Sequence, residues 1–146
     1  MSYQITAGNI ILKLRSDRNA AARFVNDPAK VWVELGGQIP RGVSSSQFAQ
    51  GIRSGEIFKD IKATAEGKSH ANMAWSPCVM AVMFAFNALG LTAAVAVTAA
   101  SGGAGAGLLA TAAAMMGMEV SALAGAITVA GQAPIAKIAA VICLGR

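Results

Sequence analysis

Fifty consecutive residues, Ser69 to Met118, contain no acid and no base apart from His70. No other feature of the chain restricts its fold so tightly, because a helix that is apolar on every side has to be covered by protein or by lipid. Charge collects on one side of this run. Residues 1–68 hold ten of the twelve Lys and Arg and six of the seven Asp and Glu, whereas residues 69–146 hold only Lys137, Arg146 and Glu119. The sequence therefore divides into a polar segment, 1–67, and an apolar segment, 68–146. Only 13% of the chain is charged, against about 25% in an ordinary soluble domain. Aromatic residues are 5%, so the apolarity comes from Ala, Val, Ile, Leu, Met and Gly. Small residues of this kind favour closely packed helices, and an all-α fold is expected.

The polar segment reads as short helices. Ile5, Ile10, Ile11 and Leu14 make a helical stripe. Ser16 or Asp17 caps a second helix with Ala20, Ala21, Phe24 and Val25 inward. Asp27-Pro28 predicts a third start, with aspartate as N-cap and proline in the first turn. Val31, Trp32 and Leu35 then face inward until Gly36-Gly37 ends the helix. Ile39 precedes Pro40 and is extended. Ser44-Ser45-Ser46 offers caps for a turn carrying Phe48 and Ile52. Ser54 is the expected cap of a helix with Ile57, Phe58 and Ile61. Residues 63–75 are the expected linker, open to a protease, with Glu66, Gly67 and Lys68 as the cleavage region.

In the apolar segment, Ser76-Pro77 starts a helix that Asn87 and Gly90 interrupt. Further helices are expected over 91–100, 108–118, 120–130 and 135–144, with breaks at Ser101-Gly102-Gly103, near Gly117 and at residues 131–134. Two architectures satisfy this pattern. Residues 76–100 and 104–131 are each long enough for a membrane hairpin across about 30 Å of hydrocarbon. The alternative is a compact bundle of short helices that rearranges on a membrane. Gly103/Gly107 and Ser121/Gly125 have the small-x-x-x-small spacing of close helix contacts.

Residues 22–43, Ala-Arg-Phe-Val-Asn-Asp-Pro-Ala-Lys-Val-Trp-Val-Glu-Leu-Gly-Gly-Gln-Ile-Pro-Arg-Gly-Val, resemble the nitrile-hydratase-like leader peptides of ribosomally made bacterial natural products. Asp27-Pro28, Leu35-Gly36, Ile39-Pro40 and Gly42 match that pattern in type and spacing, and residues 9–17 are similar to the family's first helix. The resemblance implies a leader read by a maturation enzyme or an exporter's peptidase, with Phe24, Asp27, Pro28, Leu35, Gly36, Ile39, Pro40 and Gly42 as recognition residues. The parent enzyme's clustered-cysteine metal motif does not occur, so nitrile hydratase activity is not implied. Such leaders often end at a double glycine. Here Gly36-Gly37 and Gly102-Gly103 lie away from the junction, where Glu66-Gly67 is a partial match.

Enzymatic constellations are poor. His70 is the one histidine and falls in the linker. The glycine cluster at 102–107 has no nearby lysine and reads as a hinge rather than a phosphate cradle. No metal or other cofactor is expected. Cys78 and Cys143 are either free thiols or a disulfide, which would close a loop of about 66 residues worth roughly 4 kcal/mol. Glu119, if placed in lipid, needs a partner, a pore or water; Lys137 is the candidate partner, and a role at a helix start is the alternative. The net charge of +5 suits an anionic membrane better than nucleic acid, since no block of Lys or Arg occurs.

The expected function is that of a bacteriocin-like precursor. It is made in the bacterial cytoplasm and exported after leader removal, with an apolar core that permeabilises target membranes. No secretory signal opens the chain, so export needs another route. Two alternatives stay open. One is a small, holin-like integral protein of the inner membrane with a permanent cytoplasmic N-terminal domain. The other is a soluble homo-oligomeric interaction module.

Overall fold

The computed structural model describes residues 3–40, 42–68, 75–103, 105–131 and 134–144. These residues form ten helices and no strand. Five lie in the polar segment: α1 (Tyr3–Ser16), α2 (Arg18–Asn26), α3 (Pro28–Glu34), α4 (Ser45–Arg53) and α5 (Glu56–Ala65). Five follow: α6 (Pro77–Ala88), α7 (Ala93–Ala100), α8 (Ala106–Met116), α9 (Val120–Ala130) and α10 (Ile135–Leu144).

The helix starts follow from local chemistry. The Asp17 carboxylate accepts the Ala20 N–H at 3.1 Å and starts α2. Asp27 ends α2 and starts α3, accepting the Lys30 N–H at 3.3 Å, with Pro28 in the first turn. Ser44 and Gln47 form a reciprocal capping box at α4. Ser76 caps α6 ahead of Pro77, and Thr92 caps α7. One expected cap is displaced. Ser54 ends α4, its hydroxyl donating to the Gly51 carbonyl at 2.8 Å, and Gly55 takes the N-cap position of α5.

Of the two architectures considered for the apolar segment, the chain takes the one built from short helices. The turn at Leu89–Gly90 separates α6 from α7, and α8 stops at Gly117. No single described helix is long and apolar enough to cross a membrane. Neither small-residue pair forms a helix contact surface of the expected kind. Gly103 lies in the turn before α8, and Ser121 and Gly125 are exposed on α9.

The helix most deeply enclosed is α6. Each residue from Met80 to Phe86 is at most 2% exposed. The enclosing protein comes from both segments: α1 and α4 pack along α6 on one side, α10 on another. Phe84 sits among aromatic rings contributed by three polar-segment helices. Its ring stacks on Trp32 at 4.2 Å and meets Phe48 at 5.8 Å and Phe24 at 6.4 Å. Close approach of α4 to α6 requires Gly51. A Cβ there would overlap the Asn87 carbonyl oxygen. The division of charge at residues 67/68 is thus not a division of the core, which is one continuous cluster from Ala7 to Ile142.

One buried ion pair ties three helices together. Arg15 on α1 meets Asp60 on α5 at 3.3 Å, both side chains 7% exposed, and the same guanidinium lies 2.9 Å from the Met80 sulfur of α6. The Thr64 hydroxyl lies 3.0 Å from the Arg15 carbonyl and 3.2 Å from that of Asp60.

Two stability predictions follow from this core. Truncation of Phe84 to Ala is expected to cost about 3–5 kcal/mol in denaturant unfolding; a loss below about 1 kcal/mol would mean that the ring cluster does not hold α6. Asp60→Ala is expected to cost about 3–5 kcal/mol by stranding the guanidinium. The double change Arg15→Met with Asp60→Leu should recover most of that loss, and a double variant as weak as the single one would contradict the account.

Candidate membrane-active segment and processing junction

The helices α6 to α10 are alike in composition and unlike in cover. While α6 is enclosed, α9 buries only Leu123 and Ile127, and α8 only Leu109, Ala112, Ala113 and Met116. The outer faces of α8 and α9 are apolar as well. Leu108 is 38% exposed, Val120 45% and Val129 77%. Between Ala106 and Ala130 the single charged residue is Glu119.

Glu119 and Lys137 do not form the ion pair considered from sequence. Both are exposed, and no salt bridge joins them among the described residues. Glu119 instead holds the N-cap position of α9, without a side-chain bond to the helix. Its nearest polar contact is the Ser121 hydroxyl at 3.5 Å.

Cys78 and Cys143 are bonded, with Cα atoms 6.1 Å apart. The bond fastens the first turn of α6 to the last turn of α10. It therefore closes almost the whole apolar segment into a loop.

The residues that carry the leader resemblance have evident structural work. Phe24, Pro28 and Pro40 are buried. Asp27 caps α3. Gly36 stands at φ +101° and Gly42 at φ +83°. Trp32 donates its indole N–H to the Gln38 carbonyl at 3.2 Å, which pins the chain after Gly36 back onto α3. Only Asp27, Gly36 and Gly42 of the eight are well exposed, while Leu35 and Ile39 are half-buried. An enzyme reading the folded chain would meet the turns rather than Phe24 or the prolines.

At the junction, Glu66 ends α5 and Gly67 follows at φ +72°. Glu66, Gly67 and Lys68 are all exposed, and Lys68 pairs with Glu66 at 3.2 Å. The next six positions, among them His70, lie outside the described residues, as does Arg146. Among the described residues no group of three or more His, Cys, Asp or Glu could hold a metal. A cleft of about 390 Å³ lies between the Gly36–Pro40 turn and Met115, and no charged side chain among the described residues lines it.

Sequence reasoning missed the Arg15–Asp60 pair. Its signal was present, since Asp60 falls between Ile57 and Ile61 on the inward side of α5. Phe84 was assigned to an apolar helix but not to the aromatic cluster, because ring partners from three separate helices leave no local pattern.

Removing the disulfide with Cys78→Ser and Cys143→Ser is expected to lower unfolding stability by about 4 kcal/mol. The measurement is denaturant unfolding of the variant against the oxidised and the reduced parent chain; equal midpoints for all three would show that the bond does not constrain the chain. Comparisons with family models, with curated proteins and with solved structures find no match to this chain, so its functional reading rests on its own residues.

Proposed function

We propose that the chain is the precursor of a bacteriocin-like, membrane-active polypeptide. Residues 1–67 serve as its leader and 68–146 as its active part. The observation that carries this reading is the uncovered, nearly uncharged face of α8 and α9 on a segment whose composition matches the enclosed α6. Apolar area left in water is unfavourable at about 25 cal/mol per Å², and a bilayer offers that face a better environment. Lys68, Lys137 and Arg146 draw the segment toward anionic lipid.

The leader has a physical part in this reading. Its helices α1 and α4 cover α6, and without the leader Met80 and Phe84 would lose their partners Arg15, Trp32, Phe48 and Phe24. It thereby keeps the most deeply enclosed helix soluble until export. The exposed Glu66–Lys68 turn is where an exporter's peptidase or a maturation enzyme would cut. Departure of the leader then leaves α6 without its aromatic partners, so that it too favours lipid.

The test uses the full-length chain with a specific protease sequence in place of residues 69–74. It is mixed with dye-loaded vesicles of phosphatidylcholine and phosphatidylglycerol. The cut protein is expected to release dye at micromolar concentration, and the uncut chain to release far less. Absence of release after complete cutting would remove the reading. Intact mass of the native protein recovered from producing cells separates the nearest competitor, since an uncleaved chain in the inner membrane would identify a permanent integral protein.

A further inference from the structure

We propose that α8 and α9 are two halves of one bilayer-spanning helix, held apart in water by the turn at Gly117–Glu119 and joined in lipid. This rests on the membrane-active reading above and names the part of the segment that enters the bilayer. The two helices bend by 108° at their break, and together they are long and apolar enough to span. Residues 106–130 as one helix would measure about 37 Å, against roughly 30 Å of hydrocarbon.

The break depends on water. Gly117 stands at φ +66°, its N–H donates to Ala114 at 3.3 Å, and the Met118 N–H donates to Ala113 at 3.0 Å. On the other side Glu119 supplies no side-chain cap. Gly117, Glu119, Val120, Ser121 and Ala122 are all exposed, so water serves the remaining helix-end groups. Hydrocarbon has no water to offer, and a broken helix there leaves N–H and C=O groups unsatisfied. Continuing α8 through residues 117–119 satisfies them. Glycine takes the helical conformation as readily as the left-handed one, so Gly117 permits both states.

The pair is also free to leave the bundle. Leaving uncovers two buried residues on α9 and four on α8 and exchanges the packing of α9 on α7 and α10 for lipid. These are fewer buried residues than α6 would give up, and elements with few buried contacts are the first to open. The occupant implied is a bilayer, because the outward side chains Leu108, Val120 and Val129 are aliphatic and no charge but Glu119 lies on either helix or between them. Glu119 falls near the middle of the joined helix. A carboxylate at that depth is costly, so Glu119 sets the threshold for insertion, while in the water-exposed break it is well solvated.

Two substitutions at one position separate charge from helix continuity. Glu119→Gln removes the charge and allows the joined helix. Glu119→Pro removes the same charge and fits the broken form, since Glu119 stands at φ −75°, ψ 147°, but it obstructs a continuous helix. In the cut full-length chain, Glu119→Gln is expected to release dye at roughly tenfold lower protein concentration than the parent, with Glu119→Pro at least roughly tenfold less potent than Glu119→Gln. Gly117→Ala, which strains the turn and favours the helix, should also gain potency, and this holds the proposal to account if the proline variant does not fold. Equal potency of the Gln and Pro variants, or no gain from Gly117→Ala, overturns the joined helix and leaves membrane action standing. No release by any chain, the parent included, removes both. A detergent-free dimer that covers α8 and α9 and keeps them from vesicles also overturns the proposal.

Discussion

The seating of Phe84 between Trp32, Phe48 and Phe24 decides how the rest of the chain is arranged. A helix as apolar as α6 cannot stand in water, and small residues alone give it little shape to lock onto. Its ring supplies that shape. Trp32 stacks on it at 4.2 Å, and the indole is itself held through its bond to Gln38. The Asp27-Pro28 start, the Gly36 turn and the extended passage to Pro40 thus act together as a socket for one phenylalanine from the apolar segment. Residues that resemble a recognition motif have a packing reason to be where they are. That packing fixes the turns that Asp27, Gly36 and Gly42 present outward.

Two long-range ties then hold the N-terminal part of α6. Near its start the Arg15–Asp60 pair and the Met80 sulfur meet. A buried ion pair of this kind is weak evidence for net stability but leaves a large penalty if half of it is lost. It therefore favours one register of α1, α5 and α6 over neighbouring ones. The disulfide acts differently. By joining α6 to α10 across 65 residues, it limits how far the apolar segment can open. Helices α7, α8 and α9 lie inside that loop with no covalent restraint of their own.

The helix pattern was legible because it is written locally. Asp27-Pro28, Ser44 with Gln47, and Ser76-Pro77 each carry their own start signal, and Gly90 and Gly117 each carry a stop. The one displaced start, Ser54, had two adjacent claims on it: its hydroxyl closes α4 through the Gly51 carbonyl, so Gly55 begins α5. The pairing of helices was not legible. Ring contacts between Phe24, Trp32, Phe48 and Phe84 join residues up to 60 positions apart, and Ala-rich helices such as α7 and α8 offer almost no side-chain shape from which a partner could be inferred. Glu119 and Lys137 show the same limit in reverse. They are the only two charges among the described residues after Lys68, and opposite sign suggested a pair, yet both stand exposed and unjoined.

Helices α6 and α9 show how context divides like from like. Both are short, uncharged and rich in Ala, Val and small residues. Yet α6 has four phenylalanine or methionine side chains, Met80, Met83, Phe84 and Phe86, each at most 2% exposed. α9 has only Leu123 and Ile127 turned inward and Val129 left 77% exposed. Burial in protein requires shape complementarity as well as apolarity, since close packing supplies the dispersion contacts that distinguish an interior from oil. Lipid makes no such demand, because its chains conform to any smooth surface. A helix of small residues with a featureless face is therefore poorly matched to a protein core and well matched to a bilayer. Between α6 and α9, the larger side chains stand where protein covers them and the smoother face where it does not.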